Sequence, residues 1–473
     1  MGETSVIRGA GESPRTAMGS ARDSQPSDPT SPVSNDPRFS RRFSVEVAGT
    51  LAVRLLITAS SVVAGIIVAR WLGAEALGEL AVINVVVATV VQLSSAGLPS
   101  ANTYFISRDK RNLASAAINS LIFAPIIGGL LALGVVGLAA WRPQIFSSIP
   151  TGLIGVAAIS IPFQLLTLIG LNIFLAVGQV ERFNLLDLAG QVLILVNAIL
   201  ALVVLKRDLW MLVSLNTAAS IAVALVLAFL ITRFVARRQE RANWRPDAGL
   251  FTSMMRYGLK FHISILAGML IFRADLLVVN HFRGATEAGV YSVASQVSML
   301  LMLVPGVIAT LLFPRITAAQ DVHGETTCIV TRHTAFLMFF ICLAAVPLSF
   351  ILPQLYGAGF SDVTVQLLIL LPGVFLIGIE SVLVQHFSAM GLPRAIPMFW
   401  LITLFVNLVL VFTLTPPFGA RGAAAASTVS YILLFTLVAF YFRSQTHINI
   451  SDALLLRPQE LRQLLAIARP RRA

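Results

Sequence analysis

Arg273 and Asp275 stand two positions apart inside the apolar run "IFRADLLVVNHF", residues 271–282. A charge in the bilayer core costs at least ~2.5 kcal/mol and marks a transport pathway by default. Two residues apart is about 200° around a helix, so the two side chains face different ways and do not pair. Arg273 then reads as a phosphate site, since a guanidinium grips phosphate bidentately. Asp275, left without a named partner, reads as a candidate proton carrier. Arg54 heads a second polar face, with Thr58, Ser61 and Gly65 at helical spacing. Further faces gather Asn84, Gln92 and Ser95; His262 with Arg273; Ser264, Gly268 and Asp275; and Ser292, Ser295, Gln296 and Met299. Glu380, near Gln385 and His386, is a further carboxylate within an apolar run and a second candidate for coupling to a proton. Arg256 and Lys260 offer an anionic contact at the inner end of their helix, and Asp187 and Arg182 lie near the inner boundary, within reach of water. The competing reading of the Ser, Thr and Gly positions is close helix packing.

These residues need helices that cross a membrane. The chain is 57% hydrophobic and 12% charged, with mean hydropathy +0.84, against about 25% charged residues in soluble domains. Apolar runs long enough to span the hydrocarbon fall at 45–69, 77–99, 113–140, 150–176, 184–205, 210–234, 255–280, 288–313, 329–352, 364–389, 395–415 and 421–442. The expected fold is an all-α polytopic membrane protein of about twelve transmembrane helices. Arginine and lysine outside the spans collect on the face that carries both ends of the chain, which places both termini in the cytoplasm. The net charge of +12 follows from that bias and not from a nucleic-acid surface.

Residues 1–42, rich in Ser, Pro, Gly and Arg, read as a disordered cytoplasmic tail and do not match a signal peptide. "RFSRRF", residues 38–43, is placed to anchor the chain at the lipid surface. Residues 237–253 read as a cytoplasmic loop, and 444–473 as a basic tail whose stretch "RPQELRQLLAIARPRR" forms a short amphipathic helix on the inner leaflet. Cys328 and Cys342 have no spacing that suggests a metal or disulfide framework; neither a metal nor a cofactor is expected.

The chain also repeats itself. "WLGAEALGELAVI" (71–83) and "FRGATEAGVYSVA" (282–294) align with Gly73-Ala74 on Gly284-Ala285 and Gly78 on Gly289, an offset of 211. A second echo relates "GQVERFNLLDLAGQVLILVN" (178–197) to "GLPRAIPMFWLITLFVN" (391–407). Two six-helix halves, 43–236 and 254–443, are therefore expected as parallel repeats about an axis along the membrane normal. By that offset Arg54 corresponds in depth to Ile265, ten residues and about 15 Å below Asp275. An anion crossing between the halves would meet Arg54 in the inner half of the membrane and Arg273 in the outer half.

The blocks "ARWLGAEALGELAVI", "ADLLVVNHFRGATEAGVYSVA", "LLFPRI", "LYGAGF" and "FGARGAAAAS" resemble those of the multidrug/oligosaccharidyl-lipid/polysaccharide exporter superfamily. The likeness is to its polysaccharide-biosynthesis, Wzx-like branch of lipid-linked oligosaccharide flippases, and it covers roughly residues 45–443. It implies two six-helix lobes in a V around a central cavity, lined largely by the first two helices of each lobe, and alternating access without ATP hydrolysis. The substrate so implied is an anionic polyprenyl-diphosphate-linked oligosaccharide moved from the cytoplasmic to the outer leaflet of the plasma membrane, with a polysaccharide polymerase or glycosyltransferase as partner. The candidate cavity set is Arg54, Thr58, Ser61, Asn84, Gln92, His262, Arg273, Asp275 and Gln296, with Asp275 and Glu380 for coupling. A cation-coupled multidrug exporter and a lipid II flippase are the alternatives. A membrane glycosyltransferase lacks a loop large enough for a catalytic domain and a nucleotide-binding glycine motif, so no enzyme is expected. A scaffold that transports nothing is a further alternative, but charges inside the membrane are an expensive way to build one.

Overall fold

The computed structural model describes residues 37–146, 149–238, 245–319, 321 and 323–456. They form α1 (Pro37–Ser95), α2 (Leu98–Arg108), α3 (Leu113–Trp141), α4 (Thr151–Ala158), α5 (Ile161–Ala176), α6 (Val180–Ala198) and α7 (Leu209–Arg238). After the loop follow α8 (Ala248–Arg283), α9 (Ala285–Leu301), α10 (Leu303–Ala319), α11 (Glu325–Tyr356), α12 (Val363–Ala389), α13 (Ala395–Thr446) and α14 (Ile450–Leu454). No strand occurs among the described residues. In lipid every backbone N–H and C=O must be satisfied within the protein, which a helix does by itself.

Ten stretches among the described residues are long and apolar enough to cross a membrane. Two of them, in α1 and α13, turn at a single residue, Gly73 (φ 84°, ψ −176°) and Gly419 (φ 61°, ψ −147°). Divided at these glycines, the ten stretches hold twelve apolar segments, in the order expected from the sequence. Gly284, between α8 and α9, has φ 85° and ψ 175°, nearly the angles of Gly73. A side chain at either position would be strained. The repeat at offset 211 is thus a repeat of backbone geometry.

Each half is organised around its most enclosed helix. In the first, α2, α3, α6 and α7 all pack on α5, whose Ile161, Leu165, Ile169 and Ile173 are buried. In the second, α9, α10, α11 and α13 pack on α12, which buries Leu367, Val374, Ile379 and Val382. Contacts of α2 and α3 with α8 join the two sets.

Several boundaries shift. Residues 1–36 and the amphipathic stretch from 457 onward lie outside the described residues. α1 opens at Pro37, within the segment expected as tail. α8 opens at Ala248, well before the expected 255, because the Asp247 carboxylate caps it by accepting from Leu250 N at 2.9 Å.

Candidate functional site

The polar face of the first span has partners that its own pattern does not reveal. Arg54 Nη1 lies 3.2 Å from Asp187 Oδ2, both side chains being partly exposed, 48% and 31%. Below this pair Asn184 Nδ2 donates to Thr50 Oγ1 at 2.9 Å, and above it Gln191 Nε2 donates to Ser61 Oγ at 2.7 Å. Thr58 and Ser61 also donate to the carbonyls of Arg54 and Ile57 on their own helix. The first and fifth spans, the latter carried by α6, are therefore joined by three polar rungs. Arg54, expected to meet an anion in the inner half of the membrane, is paired with Asp187. Residues 184, 187 and 191 are spaced as one helix face, so the stripe was present in the sequence; it was missed because Asp187 was read as a boundary charge.

Higher on the same face of α1, Gly65 lies against the second half. A Cβ there would sit 3.5 Å from Gln296 Oε1 and 3.9 Å from the Tyr356 hydroxyl. Eleven residues separate Gly65 from Arg54, about 20° of helix rotation. One face of the first span thus touches the second half near Gly65 and is exposed at Arg54.

Asp275 departs from its expected role. It is 2% exposed, and its carboxylate accepts from the Tyr291 hydroxyl at 2.5 Å, the Ser427 hydroxyl at 2.9 Å and Leu276 N at 2.8 Å. It ties the seventh, eighth and twelfth spans together, so it is neither unpartnered nor open to a ligand. Arg273 points elsewhere, as the helix geometry requires. It is exposed and makes no ion pair or hydrogen bond among the described residues. Gly268, on the same stripe as Asp275, also packs against a helix: a Cβ there would lie 3.2 Å from the Trp400 ring.

His262 and Arg273, expected on one face, part company. His262 is 4% exposed, with no hydrogen-bond partner for either ring nitrogen among the described residues. It is covered because its end of α8 lies against the end of the second span, where a Cβ at Gly258 would fall 2.8 Å from the Gly97 carbonyl carbon. Around this approach Tyr104 stacks on Tyr257 at 4.4 Å, and Asn119 exchanges hydrogen bonds with the Asp247 backbone at 3.0 and 3.2 Å. Nearby, in the loop after α2, the side chain and backbone N–H of Arg111 hold the Asp109 carboxyl below the usual range.

At the opposite end the repeats meet each other. A Cβ at Gly78 would strike the Ala285 carbonyl and come within 2.8 Å of Gly289 N. One at Gly289 would strike the Ala74 carbonyl and come within 2.9 Å of Gly78 N. Both contacts are the same contact displaced by 211 residues, with Ala and Gly four apart on each helix. Such small-residue spacing lets helix backbones touch. Beside it Arg70 donates to the carbonyls of Leu355, at 2.7 Å, and Gln354.

Of the remaining candidates, Asn84, Arg256 and Lys260 are exposed, and Gln92 and Gln296 half-buried. Glu380 is 2% exposed, with Oε1 unpartnered among the described residues. His386 faces Thr327 Oγ1 at 3.2 Å. No group of His, Cys, Asp and Glu fit to hold a metal ion occurs among the described residues.

The model of one family, described as polysaccharide biosynthesis protein, matches residues 46–320, more than half of the chain. This chain belongs to that family. It is similar to the "Probable flippase AglR" of Haloferax volcanii, 29% identical over 167 residues, 34% of this chain and 35% of that protein, so the chain spans about a third of the length of the relative it matches. Among solved structures, its fold is similar to "Lipid II flippase MurJ, inward closed conformation" (TM-score 0.69, 17% identity, 90% of this chain and 92% of that one). It is also similar to an inward-facing multidrug resistance MATE family transporter of the MOP superfamily (TM-score 0.68, 17% identity, 85% and 98%). The family match bears out the polysaccharide-biosynthesis family read from the quoted blocks, and the solved structures bear out the all-helical fold. Two of those blocks supply Asp275, Tyr291 and Ser427, and three supply the turns at Gly73, Gly284 and Gly419. The resemblance therefore rests in good part on residues that build the fold.

Proposed function

We propose that this family member is a flippase that carries a polyprenyl-diphosphate-linked oligosaccharide from the cytoplasmic to the outer leaflet by alternating access. One observation carries the choice of an anionic substrate: on the seventh span Arg273 is exposed and Asp275 buried, while Arg54 is exposed on the first span and Glu380 buried on the tenth. The accessible charges on these helices are cations, which suits a diphosphate and leaves these two carboxylates closed to a cationic drug. In this reading the end with Gly97 and Gly258 faces the cytoplasm and that with Gly78 and Gly289 the outside. Arg256 and Lys260 meet the headgroup first, then Arg54 and finally Arg273, while Asn84, Gln92 and Gln296 hydrogen-bond sugar hydroxyls. The polyprenyl tail stays in lipid. The polymerase and glycosyltransferases of surface polysaccharide synthesis would be its neighbours in the pathway.

The test is translocation of a fluorescent polyprenyl-diphosphate glycan by the protein reconstituted in liposomes. Arg54→Ala and Arg273→Ala are each expected to lower the rate about tenfold or more, the worth of one charge-assisted contact of 1.5–3 kcal/mol. Unchanged rates in both variants, or transport of a cationic dye in place of the glycan, would overturn the reading.

A further inference from the structure

The Arg54–Asp187 pair is an unusual thing to place on a helix face meant to receive an anion. The pair is half exposed, and the Nη1 to Oδ2 approach at 3.2 Å is an ion pair without an aligned hydrogen bond among the described residues. In the water-filled cavity of the proposed reading, exposed pairs of this kind contribute about 0–1 kcal/mol, so breaking it costs little. Nor is it needed to hold the spans in register, because Asn184–Thr50 and Gln191–Ser61 already do so on either side. The second half shows that the fold manages without it: the seventh and eleventh spans, related to the first and fifth by the repeat, meet through Gly268, Phe272 and Trp400.

We infer that Asp187 is an exchangeable counter-ion: it holds Arg54 while the site is empty, yields it to the substrate's diphosphate, and reclaims it when the substrate moves on. The inference rests on the anionic substrate proposed above. A carboxylate and a phosphate compete for the same guanidinium; Asp187 holds it through one approach only, and a diphosphate that forms two parallel hydrogen bonds displaces it. Between substrates Asp187 keeps Arg54 neutralised, which discriminates against weaker anions such as single phospholipid headgroups. After transfer it supplies the replacement partner that lets the diphosphate leave. Asp187 thereby sets both selectivity and release, a role distinct from that of Arg54, which binds.

The amides on either side fit such an exchange. Gln191 is half-buried and uses its N–H group on Ser61, which leaves its carbonyl oxygen as an acceptor one helical turn from Asp187, while the buried Asn184 stays with Thr50. An acceptor near a cation suits a hydroxyl-bearing sugar attached to the phosphate. Only the charge partner has to change hands; the rungs that space the helices stay in place.

The experiment measures binding and translocation with the full chain in nanodiscs and liposomes, using fluorescent polyprenyl diphosphate as probe, fluorescent polyprenol as neutral control and anionic phospholipid as competitor. Asp187→Asn, equal in size and unable to neutralise Arg54, is expected to bind the diphosphate about tenfold more tightly, to translocate it several-fold more slowly and to lose discrimination against anionic phospholipid. Asp187→Glu keeps the charge and is expected to behave as the unaltered protein. Arg54→Ala with Asp187→Asn is expected to bind as weakly as Arg54→Ala alone. Should Asp187→Asn not fold, Asp187→Ser carries the same expectation. If the unaltered protein binds diphosphate no better than polyprenol, the proposed substrate falls, and this inference with it. If it binds diphosphate but neither neutral variant binds more tightly, the counter-ion role alone is overturned.

Discussion

The polar rungs of the first half and the buried carboxylate of the second put similar chemistry to opposite uses. Arg54–Asp187 sits between two amide–hydroxyl hydrogen bonds on a helix face that is partly exposed. Asp275 sits 2% exposed between Tyr291 and Ser427, with its acceptor sites turned to hydrogen-bond donors. A half-exposed pair is cheap to open and so can take part in a cycle. A buried carboxylate with its donors in place is expensive to disturb, because each donor it leaves behind would be stranded away from water. The halves are related by a repeat, yet one is arranged for exchange and the other for cohesion.

The two halves, unlike inside, are joined through a contact that is alike on both sides. Substituting Gly78→Leu tests that joint and should have the largest effect. Its Cβ meets the backbone of Ala285 and Gly289, which cannot turn aside, so overpacking of about 3 kcal/mol opposes the closed approach. Disulfide formation between Ala74→Cys and Ala285→Cys should fall sharply in the Gly78→Leu background. Undiminished cross-linking would show that the joint tolerates a side chain and is looser than its geometry states.

Next in size is Asp275→Ala, which strands the Tyr291 and Ser427 hydroxyls. A loss of about 2 kcal/mol is expected, read as a lower unfolding temperature in detergent. Tyr291→Phe, which removes one donor only, should lose about 1 kcal/mol. A wild-type unfolding temperature for Asp275→Ala would erase the contrast between the halves. Smallest is Asn184→Ala, which removes one rung of the half-exposed seam and is expected to lower stability by about 0.5 kcal/mol, the low end for a hydrogen bond. A loss as large as that of Asp275→Ala would make the first-half seam a cohesive element too, and the comparison would fail in the other direction.

Much of the architecture was legible in the residues. Twelve apolar runs predicted twelve segments, because a bilayer leaves the backbone few alternatives to a helix. The offset of Gly73 on Gly284 predicted a repeat, which the backbone angles share. The separation of Arg273 from Asp275 followed from helix rotation alone. The candidate site was less legible. The stripe of Asn184, Asp187 and Gln191 has helical spacing, but nothing in it says that it faces Arg54 and not lipid. His262 and Arg273 share a face by rotation, yet one end of that face is covered by the second span and the other is not.

What the sequence determined by itself is whatever depends on one helix at a time: which segments span, where the chain must turn at glycine, and which side chains point the same way. Period and hydropathy are local quantities, so a linear reading recovers them. Only the tertiary structure decided which polar residue meets which: Arg54 with Asp187, Asp275 with Tyr291 and Ser427, Gly78 with Gly289. Those pairings join residues far apart in the chain, and they depend on the rotation and approach of two helices, which no single helix's pattern encodes.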